Sequence, residues 1–197
     1  MSTDIATRFA KETAEHRMTV LHDDGLYRHL RFQPRHSFYW FELITVPGSL
    51  TFRGDGESFV FARVEDMFEF FRGQRVNPMY WAEKVTSGRE TLTEYDEAKF
   101  VEMVEYEFAS HHEFNRNTSG LARAIISEVL DDEVIGFEQT ARDAVDQFKH
   151  DGFRFYDTWE WSLRSYSWWF LWALHGIVWG IAQYDAWKAP LPEEWFA

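Results

Sequence analysis

No cysteine occurs among the 197 residues of the chain. That absence excludes disulfides, thiolate metal sites and a cysteine nucleophile together, and it gives no reason to expect an oxidising compartment. Proline is sparse at five residues, and positive charge is in short supply, with 20 Lys and Arg against 33 Asp and Glu. A formal charge of −13 keeps a protein away from phosphate backbones, so direct nucleic-acid binding through a broad basic face is not expected. Residues 1–8 show no basic stretch followed by an apolar core, which predicts no signal peptide and a cytoplasmic protein. Also missing are a G-x-S-x-G elbow, a P-loop, a dinucleotide fingerprint and an H-E-x-x-H helix, which counts against the commonest enzyme classes. No cofactor is expected.

What the chain has instead is aromatic bulk. Hydrophobic residues make up 45% of the chain and aromatics 19%, enough at this length to bury a core that offsets the entropy of ordering. The pattern predicts a single α+β domain. A sheet-rich part covers residues 1–85, a helical part 86–189 and a tail 190–197.

Residues 4–17 read as a short amphipathic helix with Ile5, Ala6 and Phe9 on one face. The period then changes to two. Strands are predicted over 18–22, 26–32, 38–45, 50–53 and 59–62, joined by turns at Asp23-Asp24-Gly25, Pro47-Gly48 and Gly54-Asp55-Gly56, which makes an antiparallel β-meander of about five strands. The 38–45 strand is apolar on both faces, as a strand covered on both sides would be. Helices follow over 64–71 and from Asn77-Pro78, then from Asp96 to about 112, over 120–130 and over 134–149.

The most apolar stretch, about 159–184, predicts a long helix. Trp168, Trp172, His175 and Trp179 form one stripe on it, and apolar residues fill the other sides, so it must be buried in protein or in lipid. Residues 166–184 carry no charged side chain, long enough for a bilayer. Tryptophans at its middle, together with Gly176, Gly180 and Gln183, favour a core helix covering the sheet over a membrane anchor.

Candidate chemistry is thin. His22, Asp24, His29 and Asp55 could serve a metal-assisted hydrolase, and His111, His112 and Glu113 form a second local group, but neither has a recognised ligand spacing, and surface histidines are the plainer expectation. His175 could act as a base in a closed pocket, against the simpler reading of a hydrogen-bonded core histidine. Glu42 and Glu107 fall among apolar residues, where each must find an arginine or take up a proton; an acid/base pair competes with structural ion pairs. Arg28, Arg31, Arg35 and Arg53 read as a local basic patch or as solvated strand edges.

The charge is uneven. Residues 1–85 hold 11 basic and 12 acidic side chains, whereas 86–197 hold 9 and 21. Glu94, Glu97, Glu102, Glu105, Glu128, Asp131, Asp132, Glu133, Glu138, Asp143 and Asp146 carry most of the excess. They are either solvated helix faces or a phosphate-like array aimed at a basic nucleic-acid-binding partner. Among them Glu94, Glu97, Glu102, Glu105, Asp131, Asp132 and Glu138 are the candidate binding residues.

Two sequence blocks bear on origin. Residues 39–48, 59–71 and 77–84, with the Gly152-Phe153-Arg154-Phe155 and Trp179-Gly180-Ile181-Ala182-Gln183-Tyr184-Asp185 segments, resemble a family of uncharacterised proteins from phages and prophages. Residues 115–149 lie outside the resemblance. It implies a phage accessory protein acting inside a bacterial cell, and it implies no catalytic residues. The leading expectation for function is a non-enzymatic binding protein that modulates a host process or blocks a host defence through its acidic helical surface or an aromatic groove.

Overall fold

Alternation of apolar and polar side chains decides the first half of the molecule. The computed structural model describes residues 5–35, 38–114 (side chains to 111) and 120–190. Helix α1 (Ile5–Glu12) precedes six antiparallel strands: β1 (Arg17–Asp24), β2 (Tyr27–Gln33), β3 (Phe41–Val46), β4 (Ser49–Gly54), β5 (Phe59–Phe61) and β6 (Val85–Ser87). They pair in chain order, as a meander must when short turns join neighbours. Gly25 at φ +60° and Gly48 at φ +82° supply the left-handed positions of the first two tight turns, with Pro47 fixing φ ahead of Gly48. The α+β meander is as the sequence predicts, with a sixth strand, β6, added at the edge.

The chain's contacts group into two compact units, residues 1–93 with 166–197, and residues 94–165. In the first, Leu30, Phe32, Phe41, Leu43, Leu50, Phe52, Phe59 and Phe61 alternate onto one face of the sheet and are all buried. Between β5 and β6 run two short helices. Asp66 caps α2 (Met67–Phe71) and Asn77 caps α3 (Pro78–Ala82), each accepting a backbone N–H; α3 starts at the expected signal, whereas α2 starts three residues later than the expected 64, after its Asp66 cap.

The long helix α8 (Trp168–Lys188) lies on that buried face. It packs closely because Gly176 and Gly180 bear no side chain: a Cβ at Gly180 would stand 2.8 Å from Leu43 Cδ1, and one at Gly176 3.0 Å from Phe52. Helix α1 packs on another side of α8, with the Phe9 ring 4.9 Å from Trp172 and Glu12 accepting the Trp172 indole N–H at 2.9 Å. Phe68 of α2 meets Tyr184 at 5.4 Å. Neighbours on several sides explain why the helix shows no polar face. Among the described residues no helix is long and apolar enough to cross a membrane.

The start of this helix differs from the expected position near 159. A 3₁₀ turn occupies Thr158–Glu160 and strand β8 occupies Arg164–Tyr166. The helix begins only after Ser167, whose hydroxyl accepts the Phe170 N–H at 3.2 Å. Its far end runs past 184 to Lys188.

The second unit has its own core of Phe100, Val104, Leu121, Ile125, Val129, Ala141, Val145, Phe148, Phe155, Trp161 and Leu163. Strand β7 (Thr93–Tyr95) pairs with β8. Helices α4 (Glu97–Phe114), α5 (Leu121–Glu128), α6 (Asp132–Ile135) and α7 (Glu138–Gln147) supply the rest. The single helix expected over 134–149 is therefore two, separated at Gly136 and Phe137, where Phe137 takes an extended φ of −135°. Of the extended tail expected over 190–197, residues 191–197 lie outside the described residues.

Candidate functional site

The most organised polar constellation lies on the sheet face turned away from α8. Cross-strand register places Arg31 of β2 and Arg53 of β4 directly opposite Glu42 of β3, one on each side. Opposed residues share a face, so three side chains meet over one strand. Arg31 Nε donates to Glu42 Oε1 at 2.7 Å and Arg53 Nε to Oε2 at 2.6 Å, while His29 Nε2 stands 3.0 Å from Oε2. The Glu42 side chain is 0% exposed and its arginine partners are 39% and 48% exposed, so the cations roof over the carboxylate. Burial alone would raise the Glu42 carboxyl, but hydrogen bonds from Arg53, His29 and Arg31 outweigh it and hold it at about 2. Glu42 is thus an ion-paired carboxylate at neutral pH and has no proton to give.

Its strand is covered differently from the sequence expectation. On one face α8 packs, whereas on the other the cover over Glu42 is the arginine pair itself. The expected four-arginine patch also divides. Arg28 lies on the inner face, 8% exposed, where both its Nη atoms donate to Asp66 at 2.8 and 3.0 Å and its guanidinium sits 4.7 Å from the Phe68 ring.

The proposed metal ligands fall along this sheet as follows. His22 pairs with His29 across β1 and β2, as the hairpin predicts, and Asp24 lies at the turn. His29 turns to Glu42. Asp55 follows the far end of β4 and accepts the Trp40 backbone N–H at 3.3 Å. Among the described residues no three His, Asp or Glu side chains are grouped to hold a metal. His111 packs its ring edge-on against Phe153 at 4.7 Å; the side chains of His112 and Glu113 lie outside the described residues. His175 stacks on Phe9 at 6.0 Å between α8 and α1.

The acidic residues of the second unit sort by what they touch. Asp96 accepts the Ser165 hydroxyl and caps α4 by accepting the Ala98 and Lys99 N–H groups; these hydrogen bonds, with the charge of Lys99, hold its carboxyl below the usual range. Asp131 caps α6. Glu138 is bound by Arg142 at 3.1 Å and by Arg164 at 2.6 Å, and Asp146 accepts the Thr158 hydroxyl. These are structural roles. Glu107 is half-buried on α4, while Glu94, Glu128, Asp132 and Glu133 are exposed.

The chain matches no protein-family model, no curated protein and no solved structure. Its function must therefore be read from its own geometry. On α4, Glu97, Glu102 and Glu105 are exposed and enter no salt bridge among the described residues. Beside them a cavity of about 370 Å³ is lined by Lys99, Glu102, Met103, Tyr106 and Ser162, and Tyr106 is 64% exposed. In the sequence these carboxylates are alike, and neither the pocket nor Tyr106 stands out, although Tyr106 is four residues after Glu102, on the same helical face.

Proposed function

We propose that the protein is a non-enzymatic binding protein whose α4 surface docks a basic partner. The observation that supports this most directly is the combination of exposed Glu97, Glu102 and Glu105, which enter no salt bridge among the described residues, with the pocket around Met103 and Tyr106 that Glu102 helps to line. Exposed carboxylates attract arginines and lysines and raise encounter rates, and a pocket beside Glu102 gives an anchor for a side chain. Asp131 and Glu138 are already engaged, one as the cap of α6 and the other by Arg142 and Arg164, and are not part of the proposed contact. The phage-family blocks extend the reading to an accessory protein that works in the host cytoplasm, modulating a host process or inhibiting a defence system, with a basic nucleic-acid-binding protein as its partner.

The test is capture from infected host cells with the natural chain and with a Glu97→Gln, Glu102→Gln, Glu105→Gln variant. Recovery of a basic protein by the natural chain, lost in the variant and weakened by Tyr106→Ala, is the expected result. Equal recovery by both chains, or recovery of no protein, refutes it.

A further inference from the structure

The arginine pair over Glu42 offers more positive charge than Glu42 consumes. Arg31 and Arg53 bring two charges to one carboxylate, and Arg17, exposed and paired by register with Gln33 on the same face, adds a third without a salt bridge among the described residues. The donor count agrees. A guanidinium has five N–H donors. Arg53 commits only Nε, and Arg31 commits Nε and the Nη2 group that stands 2.6 Å from Glu42 Oε1. Both Nη groups of Arg53 and Nη1 of Arg31 form no hydrogen bond among the described residues.

Glu42 does not repel an incoming anion as a free carboxylate would. Both of its oxygens are occupied, and the side chain is 0% exposed. It acts as a brace that fixes two forks on either side of β3. The nearby Asp55 is bonded to the Trp40 backbone, and the Trp40 ring lies 5.7 Å from the Arg31 guanidinium, so one wall of the site is aromatic. In a chain of charge −13 this is a local excess of positive charge.

We propose that the outer sheet face carries an oxyanion site, in which the outward N–H groups of Arg31 and Arg53, braced by Glu42, bind a phosphate group. Guanidinium forks match phosphate oxygens in pairs, and an anion suits the one positive charge that Arg31 and Arg53 retain after Glu42 is neutralised. The site stands in the first unit and is independent of the α4 surface. Glu42 is a positioning residue and the two arginines are the ligand-binding residues.

The experiment follows the side-chain Nε–H resonances of arginine-labelled full-length protein during titration with inorganic phosphate, with adenosine monophosphate, and with sodium chloride at matched ionic strength. Saturable shifts of Arg31 and Arg53, absent at Arg63 and absent with chloride, are expected. Saturation by the nucleotide at a tenfold lower concentration than phosphate identifies a phosphate ester as the source, and coincident curves identify the free anion. Arg53→Gln raises the half-saturation concentration about tenfold or more, and Arg63→Gln leaves it unchanged. Shifts at Arg31 and Arg53 that chloride reproduces, or that Arg63 shares, overturn the proposal. The wild-type titration decides the matter even if Arg53→Gln does not fold.

Discussion

Replacing Glu42 by glutamine keeps the shape of the side chain and removes its charge. In the folded protein the carboxyl sits at about 2, against an ordinary value of 4.5. A gap of that size corresponds to about 3 kcal/mol of stability at neutral pH. Arg31 and Arg53, 39% and 48% exposed, regain water when the carboxylate goes, so a loss of about 2 to 3 kcal/mol is expected for Glu42→Gln. The sign with pH is fixed. A depressed folded value gives stabilisation that is complete above the unfolded carboxyl range and disappears as pH falls toward 2. Urea denaturation of the natural chain and the variant, measured from pH 7 to pH 2.5, should therefore show a difference that is constant above about pH 5 and shrinks steadily below it. Other depressed carboxyls, such as Asp23 and Asp66, titrate in both proteins and cancel. A gap that stays the same down to pH 2.5 would mean that packing, and not the charge, is what glutamine disturbs.

Asp66→Ala removes the cap of α2 and leaves Arg28 charged at 8% exposure, and it should cost about 3 kcal/mol in urea denaturation, against about 1 kcal/mol for a cap alone. Gly180→Ala should lower the melting temperature more than Gly176→Ala, because its methyl group is pressed against Leu43 at 2.8 Å and overpacking exceeds the gain of about 1 kcal/mol in helix propensity. Equal melting temperatures would place the close approach of helix and sheet elsewhere. Lys188→Ala should move the Asp23 carboxyl upward in a carbon-detected pH titration, since the hydrogen bond from Lys188, reinforced by that from Tyr184, holds it below its ordinary value. An unmoved midpoint would remove Lys188 from that role.

The meander was legible because period two and turn chemistry agree from β1 to β5: Gly25 and Gly48 stand where the tight turns need them. Strand β6 was not, since Val85-Thr86-Ser87 is three residues long and gains its place from pairing with β5, a long-range contact without a local signature. Trp159, Trp161 and Leu163 read as helix because apolar content suits several structures; the better signal was Ser167 ahead of the run, a capping residue three positions before Phe170. Period two also separates Arg28 from Arg31 and Arg53, for an odd offset along a strand reverses the face. That Glu42 needs arginine partners follows from its apolar neighbours, but which arginines depends on register, and register is set by the turns. The pocket at Tyr106 needs Ser162 to approach α4 from 56 positions further along the chain, and no local pattern carries that.

The sheet and its covering helix are separated by the whole of the second unit, and this orders events during synthesis. At about 5–20 residues per second, the ribosome takes several seconds to make the stretch between β6 and the end of α8. Throughout that interval Phe32, Phe41, Leu43 and Phe52 lack the helix that buries them, while residues 94–165 are completed before α8 is and hold a core of their own. The nascent chain thus carries an uncovered aromatic sheet until α8 emerges, and exposed apolar surface of that kind is what makes a partly made chain prone to aggregate.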